Sequence, residues 1–212
     1  MKLKHILTTA LAAFGLNVCI YAQTAQSILS KTTSALRNAG GIEATFEGTQ
    51  FKGKKEAGTA TGKIQIAGNK FKLSSSSLTS WFDGKTQWTL LAGSNEVNVS
   101  NPTQAELQQI NPYTFLNLYK KGYTLTSQDV AYKGAMCYEV RMASQSRQNN
   151  IQLLIAVIDK QTHLPLSIRI KDSKGEWTRI RVSDIRTHKK WADTNFRFNA
   201  KQNPGIEVID LR

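Results

Sequence analysis

Few side chains in this sequence have the types and spacing that catalysis or metal binding requires. Beyond the N-terminal segment the histidines are His163 and His188, each in a predicted turn or strand end beside charged or polar residues. There is no G-x-S-x-G, H-E-x-x-H, P-loop or G-x-G-x-x-G motif, and the acidic residues form no evident pair on one strand face. Cys137 has no C-x-x-C partner and no histidine at a zinc-ligand spacing. We therefore expect a protein that is not an enzyme and that uses neither a metal nor a cofactor.

A pair of tryptophans points instead to binding of an apolar ligand. They lie in the stretch WFDGKTQWTLL at residues 81–91, where the Asp-Gly pair at 83–84 predicts a two-residue hairpin loop of type I′. The two-residue period of a strand then puts Trp88 and Leu90 on the same face as Trp81. Such a face is either the floor of an apolar ligand cavity or the filling of an ordinary sandwich core, and the hairpin alone leaves both open.

The first 22 residues have the pattern of a secretory signal peptide. A lysine-bearing start is followed by a largely apolar run over residues 6–20, and Ala22 is the small residue before a cleavage point. The run is too short for a membrane span, so the sequence predicts export to the periplasm. Acylation of Cys19, near the end of the apolar run, is an alternative that Val18 disfavours, because a small residue usually precedes a lipoprotein cysteine.

The length of the chain indicates how many domains it has, and its net charge indicates which partners it can contact. Removing 22 of the 212 residues leaves 190, a length that suits one domain with a substantial core, so we expect a single domain over residues 23–212. The net charge of +13 suits contact with anionic lipid headgroups, acidic polysaccharide or acidic proteins, whereas nucleic acid is not an expected partner outside the cytoplasm. The lysines are dispersed along predicted strands, as on an ordinary solvated sheet surface, which is the simpler explanation; a functional basic face is the alternative.

The hydrophobic pattern predicts one helix followed by a mainly antiparallel sheet. Residues 24–37 carry apolar side chains at the three-and-four spacing of an amphipathic helix. From Ile42 onward the period is two, with apolar and polar side chains alternating as in a sheet with one solvated face. Residues 151–158 are apolar on both faces, which predicts a strand that is central or covered on both sides.

A short helical insert interrupts this alternation. Asn101-Pro102 and Asn111-Pro112 each place a capping Asn before a Pro suited to the first helical position, which predicts helices over about residues 102–109 and 112–120. Helices this short need a large apolar surface on which to pack. The sequence thus predicts a mainly β (α+β) fold of about ten strands, whose apolar sheet face, covered by helices, makes either a closed core or an open-mouthed cavity.

Five short motifs follow the first helix in a fixed order. They are an ATF-like first strand at 44–46, a G-x-[apolar]-x-[apolar] strand at 62–66, DGKTQW at 83–88, NPYTFL at 111–116, and FRF…NPGIEVID at 196–210. This order resembles the outer membrane lipoprotein carrier (LolA) family over nearly the whole chain beyond residue 22. One departure is Ala67-Gly68-Asn69, where well-known members carry a basic residue followed by Pro that helps a lid to close.

The resemblance implies an unclosed antiparallel β-barrel whose concave apolar face is lidded by short helices. On this sequence it implies a lipid-binding cavity lined by Phe46, Ile64, Ile66, Phe71, Trp81, Trp88 and Leu90. It also implies a lid that includes Phe115, Leu116, Leu118 and Tyr119.

The resemblance also implies a function and partners. Members of the family take acylated lipoproteins from an inner-membrane ABC transporter, shield the acyl chains, and deliver them to an outer-membrane acceptor. We therefore expect a monomeric periplasmic carrier whose cargo is an acylated lipoprotein or a related lipid. An envelope module of the same fold that senses lipids or lipoproteins without transporting them is the alternative, and an enzyme assembled from distant residues is a third.

Overall fold

The computed structural model describes residues 24–103, 106–107 and 122–212. Its long elements are one helix, α1 (Ala25–Asn38), and twelve strands: β1 (Gly41–Lys52), β2 (Lys55–Ala67), β3 (Lys70–Ser75), β4 (Leu78–Phe82), β5 (Gln87–Leu91), β6 (Glu96–Ser100), β7 (Tyr123–Tyr132), β8 (Ala135–Ser144), β9 (Ile151–Asp159), β10 (Pro165–Asp172), β11 (Trp177–Lys189) and β12 (Glu207–Asp210). The predicted signal peptide, Cys19 and the four predicted lid residues, Phe115, Leu116, Leu118 and Tyr119, lie outside the described residues.

All twelve strands belong to one open sheet. Its order is β12-β6-β5-β4-β3-β2-β1-β11-β10-β9-β8-β7, and every neighbouring pair is antiparallel except β12 with β6. The order has two ends, so the unclosed sheet that the family resemblance implied is confirmed, with twelve strands in the described part of the chain where about ten were predicted. The edge strand β7 accounts for part of the difference, because most of its residues are exposed and it shows little of the apolar alternation that marks a half-buried strand.

The sheet has an apolar inner face, which we define by two rows of directly opposed residues running across β1 to β6. The first row consists of Ile42, Ile66, Phe71, Phe82, Gln87 and Ser100. The second row consists of Ala44, Ile64, Leu73, Ser80, Thr89 and Asn98. Opposed side chains of paired strands point to the same side of a sheet, so both rows share the inner face, and the alternate positions form the outer face.

Helix α1 packs on the same side of the sheet as the inner face, at the end formed by β7 and β8. The Thr24 hydroxyl accepts a hydrogen bond from the Ser27 N–H at 3.2 Å, which caps the helix within one residue of the predicted start. Ile28 and Leu29 are fully buried, and the helix packs against β7 and β8. Among the described residues, no helix combines the length and apolar character that crossing a bilayer requires.

Strand β9 confirms the prediction of a central strand that is apolar on both faces. It lies between β8 and β10. Leu154 and Ala156 belong to the main core on the inner face, while Ile155 and Val157 on the outer face are also buried. Ile155 is opposite Arg141 and Arg169 on the neighbouring strands, and the aliphatic stems of arginines can cover apolar surface while their charged ends stay in water.

Candidate apolar binding face

Four of the predicted cavity residues meet on the inner face. Ile64, Ile66 and Phe71 are buried in the main core, and Phe46 is half-buried against the same core. Phe82, which is not among the predicted cavity residues, joins them. Its ring stacks on that of Phe71 with centroids 5.3 Å apart. These five side chains therefore form a continuous apolar layer on the inner face, which runs from β1 to Phe82 on β4.

Phe46 fits this face because its neighbour on β2 has no side chain. Phe46 is directly opposite Gly62, and a Cβ atom added at Gly62 would be 2.8 Å from two carbons of the Phe46 ring. The same Cβ would press even more closely on the backbone carbonyl oxygen of Ser74. Glycine at position 62 thus allows both the close approach of β3 and the ring of Phe46 lying over the sheet.

The loop of the tryptophan hairpin differs from the predicted two-residue turn. Trp81 is directly opposite Trp88, so the loop comprises the four residues 83–86. The Asp83 carboxylate accepts hydrogen bonds from the Lys85 and Thr86 N–H groups at 3.1 and 2.9 Å. Only glycine has positive φ in this loop, at +101°, whereas a type I′ turn needs positive φ at two central residues. The Asp side chain closes the wider loop instead.

This register also decides which face the two tryptophans occupy. Because Phe71 is opposite Phe82, the neighbouring Trp81 points to the outer face, and Trp88 and Leu90 follow it. The prediction that Trp81, Trp88 and Leu90 share one face with Phe46, Ile64, Ile66 and Phe71 is therefore wrong. The two tryptophans do share a face with each other, as predicted, but it is the opposite one.

A C-terminal segment, residues 190–206, covers Trp81 on the outer face. The Phe198 ring meets Trp81 edge to face at a centroid distance of 5.6 Å, and Trp191 meets Phe196 in the same way at 5.9 Å. Trp81 is buried but lies outside the main core. The FRF motif of the sequence therefore belongs to a second, smaller apolar cluster on the back of the sheet.

Ion pairs fasten this segment to the sheet. Arg197 pairs with Asp83 at 3.0 Å, and Lys70 pairs with Asp193 at 2.7 Å. Burial alone would raise the pKa of Asp83, but the backbone hydrogen bonds from Thr86 and Lys85 and the charge of Arg197 hold that pKa below its ordinary value. The tryptophan hairpin and the C-terminal segment thus form one electrostatically linked unit.

The inner face changes from apolar to polar on β4 and β5. The Gln87 side-chain amide donates hydrogen bonds to the Ser80 hydroxyl at 3.0 Å and to the Thr89 hydroxyl at 3.2 Å, and the two hydroxyls are 3.4 Å apart. We call these three residues the amide–hydroxyl cluster. Ser80 is 2% and Gln87 8% exposed. Sequence reasoning missed them because the assumed loop length put these residues on the outer face.

The start of the helical insert also differs from its prediction. Thr103 and Glu106 form a reciprocal capping box, in which the Glu106 carboxylate accepts from the Thr103 N–H at 2.7 Å and the Thr103 hydroxyl accepts from the Glu106 N–H at 3.4 Å. The N-cap is thus Thr103, two residues after the predicted Asn101. Leu107, one turn on, is half-buried against the main core. The first insert helix therefore turns an apolar side chain toward the inner face.

Groups that could do chemistry are sparse in the described part of the chain. Cys137 is fully buried, and burial, together with the charge of Asp159, raises the pKa of its thiol. His163 and His188 both occupy left-handed backbone positions, with φ of 57°. Over residues 24–103, 106–107 and 122–212, no group of three or more His, Cys, Asp or Glu side chains is placed to hold a metal ion.

Several solved structures are similar to this chain. A LolA superfamily protein from Nitrosomonas europaea is 12% identical, with a TM-score of 0.45 over 84% of this chain and 99% of that chain. A DUF1329 family protein from Desulfovibrio piger is 12% identical, with a TM-score of 0.48 over 83% of this chain and 98% of that one. The MucA/MucB complex of Pseudomonas aeruginosa gives 15% identity and a TM-score of 0.46 over 84% of this chain and 62% of that one.

Comparison of the sequence with curated proteins and with family models shows which family the chain belongs to. None of the curated protein sequences matches the chain significantly. The model of the family described as outer membrane lipoprotein carrier protein LolA, however, matches residues 17–174, which is well over half of the 212 residues. This confirms the resemblance seen in the order of the motifs, and the chain belongs to the outer membrane lipoprotein carrier (LolA) family.

Proposed function

We propose that this protein is a non-enzymatic carrier in the bacterial envelope that binds acyl chains of lipoproteins, or of a related lipid, on the inner face of its sheet. The observation that carries the proposal is the continuous apolar layer on the inner face, which includes Phe46, Phe71 and Phe82, in a chain of the carrier family. Burying an acyl chain contributes about 0.8 kcal/mol per methylene, so such a face can hold a lipid without any catalytic group.

Transport, partners and location are further parts of the proposal. Cargo would come from an inner-membrane ABC transporter and pass to an outer-membrane acceptor, with the protein acting as a periplasmic monomer after removal of residues 1–22. The second insert helix, with Phe115, Leu116, Leu118 and Tyr119, would close over the inner face. A lid whose self-packed state competes with cargo weakens net binding, which suits a protein that must release what it carries.

A matched pair of leucines tests the binding face. Leu73 is half-buried on the inner face, and Leu90 is half-buried on the outer face two strands away. A carboxylate on an apolar binding surface loses its hydration without compensation, so Leu73→Glu is expected to weaken binding of a fluorescent acyl probe and of a palmitoylated peptide at least tenfold. Leu90→Glu is expected to leave both affinities within about twofold.

The two variants also show what would contradict this placement. Circular dichroism and urea unfolding must first show that both are folded. Equal affinity of Leu73→Glu and the unchanged protein would remove the inner face as the lipid site, and loss in Leu90→Glu alone would return the site to the tryptophan face.

Transport needs a test in cells. On depletion of a carrier, lipoproteins that belong in the outer membrane accumulate in the inner membrane, and fractionation by density gradient measures this directly. Unchanged lipoprotein distribution with an altered envelope stress response would instead support the sensing module. Recovery of the protein from periplasm with neither lipid nor lipoprotein bound, even after crosslinking from position 73, would contradict a carrier role.

A further inference from the structure

The inner face is divided into two chemically different parts along both of its transverse rows. The first row has four apolar residues, on β1 to β4, followed by Gln87 and Ser100. The second row has three apolar residues, on β1 to β3, followed by Ser80, Thr89 and Asn98. Neighbouring strands are about 4.8 Å apart, so the apolar part spans roughly 14 Å from β1 to β4. An acyl chain lying across the strands would reach the polar part at one end.

The amide–hydroxyl cluster is buried, unlike the polar residues on an ordinary solvated strand face. Ser80 and Gln87 are more than nine-tenths buried, next to the stacked rings of Phe71 and Phe82. Asn98, one strand further out in the second row, is exposed. The polar part therefore begins in the buried interior and ends at solvent, as the polar end of a bound amphiphile requires.

The cluster cannot satisfy all of its own donors. The two N–H groups of the Gln87 amide donate to the Ser80 and Thr89 hydroxyl oxygens. The two hydroxyls also have one hydrogen each, but only one of them can donate to the other, because two hydroxyls cannot donate to each other at once. One donor is left for an acceptor outside the cluster. The carbonyl oxygen of Gln87 is likewise not used in these three contacts.

We propose that the amide–hydroxyl cluster binds the carbonyl group of a neutral acyl linkage, an ester or an amide, while the hydrocarbon of the same lipid lies on the apolar part of the rows. This inference rests on the proposed function. A carbonyl oxygen is an acceptor that matches the remaining donor, and an amide linkage also offers an N–H to the Gln87 carbonyl. The cluster and its β6 neighbours Asn98 and Ser100 are uncharged, so a free carboxylate would be desolvated there without a cation.

The experiment compares ligands that differ only at the linkage. Methyl palmitate, N-methylpalmitamide, palmitate and hexadecane, delivered in cyclodextrin, are each used to displace a fluorescent acyl probe. The key protein is the triple variant Ser80→Ala/Gln87→Met/Thr89→Val, because removing every partner of a buried polar cluster is far less destabilising than removing one. Thr79→Val, on the outer face of the same strand as Ser80, is the matched control.

The unchanged protein is expected to bind the ester and the amide about tenfold more tightly than hexadecane or palmitate. The triple variant is expected to lose this preference while binding hexadecane within about twofold of the unchanged protein, and Thr79→Val is expected to keep it. Two results would overturn the inference but leave the proposed function standing: equal binding of all four ligands by the unchanged protein, or a triple variant that keeps the preference for the ester and the amide. Absence of hexadecane binding would instead overturn the proposed function itself.

Discussion

Gly62 offers a sharp test of the inner face, because one methyl group added there meets both the backbone of β3 and the ring of Phe46. The Cβ of Gly62→Ala would lie against the Ser74 carbonyl oxygen and 2.8 Å from two Phe46 ring carbons. The carbonyl oxygen belongs to the backbone and cannot swing away. On the same strand, a Cβ added at Gly58 would meet nothing within 4 Å, so Gly58→Ala is the control.

The difference between the two variants isolates the steric effect. Replacing a strand glycine by alanine favours folding by about 0.5–1 kcal/mol through backbone entropy, and this applies to both positions. Overpacking in a filled core costs about 1–3 kcal/mol. We therefore expect the free energy of unfolding of Gly62→Ala to be lower than that of Gly58→Ala by about 1–3 kcal/mol, with a fall in Tm of roughly 2–4 °C per kcal/mol for a domain of this size.

Urea unfolding followed by circular dichroism measures both free energies. The double variant Phe46→Leu/Gly62→Ala removes the clash with the ring but not the clash with the Ser74 carbonyl, so it is expected to recover part of the loss relative to Phe46→Leu alone. If Gly62→Ala and Gly58→Ala are equally stable, Phe46 does not lie over Gly62, and the packing deduced for this part of the inner face is incorrect.

Two further predictions concern titratable groups. Because the folded-state pKa of Asp83 lies below its ordinary value of 3.8, its charge stabilises the fold above that pH, and the contribution is lost as pH falls through the folded-state pKa. Asp83→Asn keeps the acceptor for the turn but loses the charge facing Arg197. Its free energy of unfolding should therefore be lower than that of the unchanged protein at pH 7, by a margin that shrinks below about pH 4. A margin that does not change with pH would contradict this. Cys137 is fully buried with a raised thiol pKa, so a thiol reagent at pH 8 should modify it only on unfolding. Rapid labelling of the native protein would show that Cys137 is not buried in the native fold.

Local patterns in the sequence predicted much of the fold. The three-and-four spacing of apolar residues gave α1 to within a residue, and the apolar run at 151–158 gave the central strand β9. The order of the motifs indicated the carrier family, which the family comparison confirms. These features depend on contacts close in the sequence, or on a periodicity that each strand carries by itself.

The position of the candidate site depended on the number of residues in the loop of the tryptophan hairpin, which local sequence patterns left ambiguous. Asp-Gly at 83–84 fits either a two-residue or a four-residue loop, and the choice sets the strand register through hydrogen bonds of the Asp83 side chain and through pairing with β3. Since side chains alternate sides at every residue, that register put Phe82 and Gln87 on the inner face and Trp81 and Trp88 on the outer one.

The sequence by itself thus determined that this is a mainly β protein of the carrier family with one apolar sheet face, because periodicity and motif order are properties of the chain. Only the tertiary structure decided which large side chains form that face and where it becomes polar. The contact of Phe198 with Trp81 joins residues far apart in the sequence, and the stacking of Phe71 on Phe82 depends on the register between β3 and β4. No local pattern specifies either contact.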